Sequence, residues 1–238
     1  GSVWSGGRED QHRHLLSIND RFLSPELLQS CLSRGFRKNS DGRLVRVRLP
    51  GLWSRRKLDL QINGLLQEGL IDVVHANHLK GLADLDTPKS TQKLEQLIHP
   101  GKATFGGLQT WIVPIRPEWA QELFDFRIWE HQLFSAETNL VINPDSVYYK
   151  RARNSPSSDV ARILWYVSGD RRKGGNSIRA CSAMTSCVMG EVKTLFRRYE
   201  RMGVFEWKQI LDHFQKPEAP AAAIEFTDTE LLPNPISF

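Results

Sequence analysis

Residues 147–184, VYYKRARNSPSSDVARILWYVSGDRRKGGNSIRACSAM, decide how this chain reads. Val147-Tyr148-Tyr149, residues 162–167 and residues 177–181 have the β-branched and aromatic composition of strands. Residues 154–159 and 169–175 between them are dense in turn formers. Three short strands joined by two basic, polar loops are therefore expected. Tyr148, Tyr149, Trp165 and Tyr166 lie close in sequence to Lys150, Arg151, Arg153, Arg171, Arg172 and Lys173. Flat aromatic faces stack bases and cationic heads hold phosphates, so this mixture points to nucleic acid.

Neighbouring residues on a strand face opposite ways. One ring of the Tyr148/Tyr149 pair and one of the Trp165/Tyr166 pair should thus be ordinary core, and Tyr149 and Trp165 are the two expected to face a ligand. Ser168, just past a strand end, either meets a base edge or steadies its own turn. Arg171, Arg172 and Lys173, flanked by glycines, either touch phosphate or form a solvated hairpin tip. Trp111 and Trp119 read as core, with Trp111 kept as a candidate pocket wall.

Downstream, residues 191–202 have the strongest helical pattern, with Val192, Leu195, Phe196, Tyr199 and Met202 on one face and Lys193, Arg197 and Arg201 along another. Residues 204–207 begin a strand or a second helix running to Phe214. Residues 215–223 read as a loop, 223–226 as a last strand, and 227–235 as an exposed, turn-rich segment. Upstream, Gly106-Gly107 precedes a strand at 109–115, and Arg116-Pro117-Glu118 starts a helix that buries Trp119, Ala120, Leu123 and Phe124. Residues 126–141 are irregular with some helix.

Nearer the start, residues 12–18 suit a strand. Ser24-Pro25 opens a helix that Gly35 ends. Residues 36–38 and 44–49 pair across the Asp41-Gly42 turn. Ser54 caps a helix over 54–70 with Leu58, Ile62, Leu65 and Leu66 on one face, and two short helical segments follow at 77–85 and 87–98. His75 and His78 have no third metal ligand nearby and are expected to be solvated or capping.

With 238 residues, 40% hydrophobic and 25% charged, the chain has an ordinary globular composition and ample length for a core. A net charge of +5 and a pI near 9.2 suit an acidic partner. The three cysteines lack disulfide or zinc spacing. No catalytic set and no metal site is expected, no apolar run approaches the ~18 residues of a membrane span, and a reducing cytoplasm is the expected compartment.

Two resemblances add to this. The helix, "RGF" and strand-pair pattern over residues 12–50 resembles the C-terminal end of the GNAT acetyltransferase fold. The Q/R-x-x-G-x-G/A loop that would hold acetyl-CoA does not occur in the sequence, so no cofactor is expected unless the chain is part of such an enzyme. Residues 104–235 resemble a PUA-like superfamily barrel of the EVE/ASCH/YTH group. The likeness rests on Trp111-Ile112-Val113, residues 147–151, residues 163–169 and residues 178–184. Trp165 and Ser168 match the pattern, whereas Val167 stands where histidine is common.

The resemblance implies a reader of DNA or RNA rather than a catalyst, holding a modified or flipped base in an aromatic-lined pocket. The expected architecture is α+β: a GNAT-like remnant over 8–53, a helical linker or subdomain over 54–103, and a PUA-like, EVE-type β-barrel over 104–238. The alternative is a GNAT-type acyltransferase that its barrel targets to RNA or another substrate.

Overall fold

A computed structural model describes residues 15–19, 23–33, 35–38, 42–124, 145–156, 159–169, 175–203 and 205–237. The chain divides into two units, Gly1–Gly106 and Gly107–Phe238.

The first unit runs β1 (Leu15–Asn19), α1 (Pro25–Ser33), β2 (Arg37–Lys38), β3 (Arg43–Val47), β4 (Leu52–Trp53), α2 (Arg55–Gln67), α3 (Val73–Leu85), α4 (Pro88–Leu97) and β5 (Lys102–Ala103). β3 lies between β1 and β2, antiparallel to both, and β4 pairs with β5 in parallel. Polar caps set the helix starts: Ser54 accepts from the Lys57 amide, and Thr87 and Ser90 form a reciprocal capping box ahead of α4.

The third helix starts earlier than its apolar pattern suggested. The Asp72 carboxylate accepts from the His75 amide at 2.7 Å and nucleates the first turn at Val73. His75 is then placed on the buried face with Ala76, Leu79 and Ala83, so it is neither solvated nor a cap residue. Val47 and Leu49 share one core with Leu58, Ile62, Leu79 and Leu94, so apolar packing runs across the expected boundary near residue 53.

The second unit contains β6 (Thr110–Ile115), α5 (Pro117–Leu123), β7 (Ser146–Arg151), β8 (Ala161–Val167), β9 (Ser177–Glu191), α6 (Val192–Tyr199), α7 (Trp207–Phe214) and β10 (Pro220–Ser237). Its five-stranded sheet has the order β6-β8-β9-β10-β7. β6 and β8 are parallel, and the other neighbours are antiparallel. Strands β7 and β8, consecutive in sequence, are separated by the antiparallel β9–β10 pair.

That strand pair corrects two expectations. Pro220 to Ala223 belong to a strand, because Ala221, Ala222 and Ala223 are fully buried where β10 is gripped by β7 on one side and β9 on the other. The segment expected to be exposed and turn-rich continues β10 to Ser237. Its turn formers are absorbed as irregularities between Thr227 and Glu230 and between Leu231 and Ile236, rather than ending the strand. Residues 126–141 lie outside the described residues.

The sheet also curls. The outer strands of a flat five-stranded sheet stand about 19 Å apart at ~4.8 Å per step, beyond the reach of one side chain. Yet the Tyr148 hydroxyl on β7 donates to the Pro114 carbonyl on β6 at 3.2 Å. The two edges therefore face each other across a seam, with no β6–β7 backbone ladder among the described residues. Both units mix helix and strand, so the chain is α+β.

Candidate nucleic-acid interface

Burial sorts the four rings first. Trp165 and Tyr149 have no solvent exposure and Tyr148 has 5%. Trp165 packs against Phe226 at 4.8 Å, Phe124 at 5.5 Å and Tyr148 at 5.4 Å, and its Nε1 donates to the Ser182 hydroxyl at 2.7 Å. Tyr148 also lies edge-on to Trp119, itself buried.

Tyr149 points to the opposite face of β7, where α6 covers it through Phe196. Its enclosed hydroxyl, without a hydrogen-bond partner among the described residues, lies where a Cβ on Gly203 would come within 3.8 Å. Burial, with Tyr199 and Glu200 nearby, pushes its phenol well above the ordinary range. The expectation that Tyr149 and Trp165 face a ligand is thus corrected. Alternation does send Tyr148 and Tyr149 to opposite faces, but the hydrophobic interior covers one and a helix covers the other.

Tyr166 differs. It is half-buried, and its hydroxyl donates to Asn176 Oδ1 at 3.1 Å. Ser168 follows two residues on, its hydroxyl donating to the Ile115 carbonyl at 3.2 Å and its amide bonding the same oxygen at 2.9 Å. Ser168 therefore ties the end of β8 to β6. Opposite the Trp165–Tyr166 step, β9 carries one extra residue, Arg179, as a bulge. A bulge bends the strand and re-aims the side chains beside it. Asn176 sits just before β9 with φ of 55°, a backbone region in which asparagine is among the residues least penalised. Arg171, Arg172 and Lys173, the basic segment between Ser168 and Asn176, lie outside the described residues.

The remaining candidates spread along β6 and β7. Arg151 and Arg153 are exposed. Lys150 is half-buried, its ammonium donating to the Asn154 carbonyl at 2.7 Å; burial lowers its pKa. Trp111 is half-buried on β6, with Nε1 shielded and unpartnered among the described residues. Sequence reasoning missed Asn176, Arg179 and His213. The first two are visible only through register. His213 lies 4.8 Å from the Trp119 ring, with its imidazole pushed down by burial and then by Arg116 and Arg151. Among the described residues no group of three or more His, Cys, Asp or Glu side chains is placed to hold a metal, and no helix is long and apolar enough to cross a membrane.

No family model matches the chain, and no curated protein does. Among solved structures, ASCH from Zymomonas mobilis aligns at 22% identity and a TM-score of 0.39, covering 55% of this chain and 74% of that one. The N-terminal domain of McrB from Staphylothermus marinus aligns at 10% identity and a TM-score of 0.33, covering 55% and 78%. The likeness is partial.

Chemically, the β8–β9 end of the second unit offers a half-buried phenol ring, a primary amide, a hydroxyl and a bulged guanidinium. A ring of this kind stacks on a planar ligand, and an amide and a guanidinium supply edge donors. Nothing in that set is arranged as nucleophile and base.

Proposed function

We propose that this protein binds nucleic acid without transforming it, and that the β8–β9 end of the second unit, read as a PUA-like curled sheet, receives a flipped or modified base. The observation that carries this is Tyr166. Of the four rings in the central segment it alone belongs to a residue that is not buried, and its hydroxyl is anchored to Asn176. In this reading Tyr166 stacks on the base, and Asn176 and Arg179 meet its edge. Ser168 holds the β8 end in place, while Arg171, Arg172 and Lys173 lean on the flanking phosphates. Trp165 and Tyr148 act from behind, as buried packing that holds β8 rigid, while Tyr149 packs under α6. Extruding a base costs a few kcal/mol, least where pairing is already weakened by damage or modification. A site that stacks well and reads one edge therefore favours such bases.

A binding screen against DNA and RNA oligonucleotides with and without base modifications, at two salt concentrations, tests the reading. Discrimination among modified bases should survive the higher salt and vanish in Tyr166→Ala. Equal affinity for every oligonucleotide, unaffected by Tyr166→Ala, would remove base recognition at this place.

A further inference from the structure

The net charge of +5 resides entirely in Gly1–Gly106; from Gly107 onward acidic and basic residues balance. The unit that carries the candidate base site therefore brings no net attraction for a polyanion. We infer that the first unit supplies a second phosphate grip, through a cationic site in which half-buried Arg48 and Lys102, backed by the buried Arg46 and beside the imidazole of His99, take the sugar-phosphate backbone of a nucleic acid. This rests on the nucleic-acid reading above and adds a second set of residues to its sequence-independent part.

The site is built by the turn after α4. The Leu49 amide donates to the Ile98 carbonyl at 3.0 Å, and the Lys102 amide donates to Gly51 at 3.0 Å, so residues 98–102 lie along the exit of β3. Gly101 belongs there because a Cβ would collide with the Leu49 carbonyl. Arg46 Nη2 donates to the Gln96 carbonyl at 2.6 Å and Lys102 Nζ to the Pro100 carbonyl at 3.0 Å, which fixes where both heads stand. Arg48 lies two residues beyond Arg46.

His99 reports the field they create. Its pKa is pushed down to about 3, first by burial and then by Lys102, Arg46 and Arg48. Every charge named in that shift is positive. A phosphate oxygen accepting charge-assisted hydrogen bonds is the group such a field favours.

The test compares the intact chain with Arg48→Gln/Lys102→Gln, both at half-buried positions, and with Lys193→Gln/Arg197→Gln on the exposed edge of α6. Oligonucleotide affinity is followed against salt. The first variant should lower the log–log slope by about 1.4 on single strands and about 1.8 on duplex, at roughly 0.7 and 0.9 for each phosphate no longer neutralised. The α6 variant should leave it unchanged, and Arg48→Lys/Lys102→Arg should restore it. Melting curves establish that each variant is folded. Tripolyphosphate titration, followed at the His99 imidazole resonances, is the second arm and should shift them only when Arg48 and Lys102 are present. Oligonucleotide binding with an unaltered slope in the first variant overturns the inference and leaves the base-binding reading standing. Tripolyphosphate binding without oligonucleotide binding supports the anion site and removes that reading, and binding of neither removes both.

Discussion

The Tyr148 hydroxyl and the Pro114 carbonyl, 3.2 Å apart, join the two strands that terminate the sheet of the second unit. Proline is tolerated at such an edge because it has no N–H to offer a ladder. Its carbonyl still needs a donor, and a tyrosine from the opposite edge provides one. Among the described residues this side chain bridges the seam, where a closed barrel would have a row of backbone bonds.

Tyr148→Phe deletes that bond and little else. The expected loss is about 1 kcal/mol, the net worth of one hydrogen bond, rising toward ~2–3 if the carbonyl becomes sealed without a donor. Urea denaturation read on the second unit measures it. An unchanged midpoint would show that the edges are held together by other means.

Trp165 is the largest fully buried side chain among the described residues. Its indole N–H feeds Ser182, whose hydroxyl is 2.8 Å from that of Thr229. Ser182→Ala should cost about 1–3 kcal/mol, because an indole donor is left buried without its acceptor. Trp165→Ala should cost about 3–5 kcal/mol through the cavity it opens. Oligonucleotide affinity per folded molecule should be preserved in Ser182→Ala. A specific loss of affinity with stability intact would return this ring to the binding site.

Tyr166→Ala should weaken binding of the preferred oligonucleotide by about 5–150-fold, the equivalent of ~1–3 kcal/mol for one stacked base. Tyr166→Phe keeps the ring but releases Asn176, and should retain most of the affinity while losing discrimination between base edges. Fluorescence anisotropy with matched modified and unmodified strands separates the two effects.

The first unit should lose stability as pH falls below about 6.5. The His99 imidazole stays neutral in the fold until about pH 3, whereas the unfolded imidazole takes up its proton near its ordinary pKa of ~6.5. The unfolded state therefore binds more protons in that window, and stability declines by up to about 1.4 kcal/mol per pH unit. His75 and His78, pushed down first by burial and then by Arg37, act in the same direction. Thermal melts of the chain and of His99→Gln between these pH values should show a flatter dependence in the variant, and parallel curves would refute the assignment.

Local signals carried far. Ser54, Thr87 and the Pro25, Pro88 and Pro117 helix starts are written in the residues, since caps and first-turn prolines act through neighbours in sequence. The strands around Tyr148 and Trp165 were equally legible, because their composition tolerates little else. The extent of β9 and β10 was not. Their pairing with each other, with Phe226 opposite Met184 and Ile236 opposite Ile178, overrides the loop-like composition of 220–223 and 227–235.

The candidate site divides in the same way. Which residues bring rings and which bring positive charge follows from the chain alone, as does the alternation that sends Tyr148 and Tyr149 opposite ways. Only the tertiary structure decides that α6 closes over Tyr149, that Phe226 and Phe124 enclose Trp165, and that Tyr166 stays half-buried with its hydroxyl on Asn176. The physical reason is that propensity, capping and alternation depend on residues a few positions apart. Exposure depends on what distant segments lay against each face, and no local pattern encodes that.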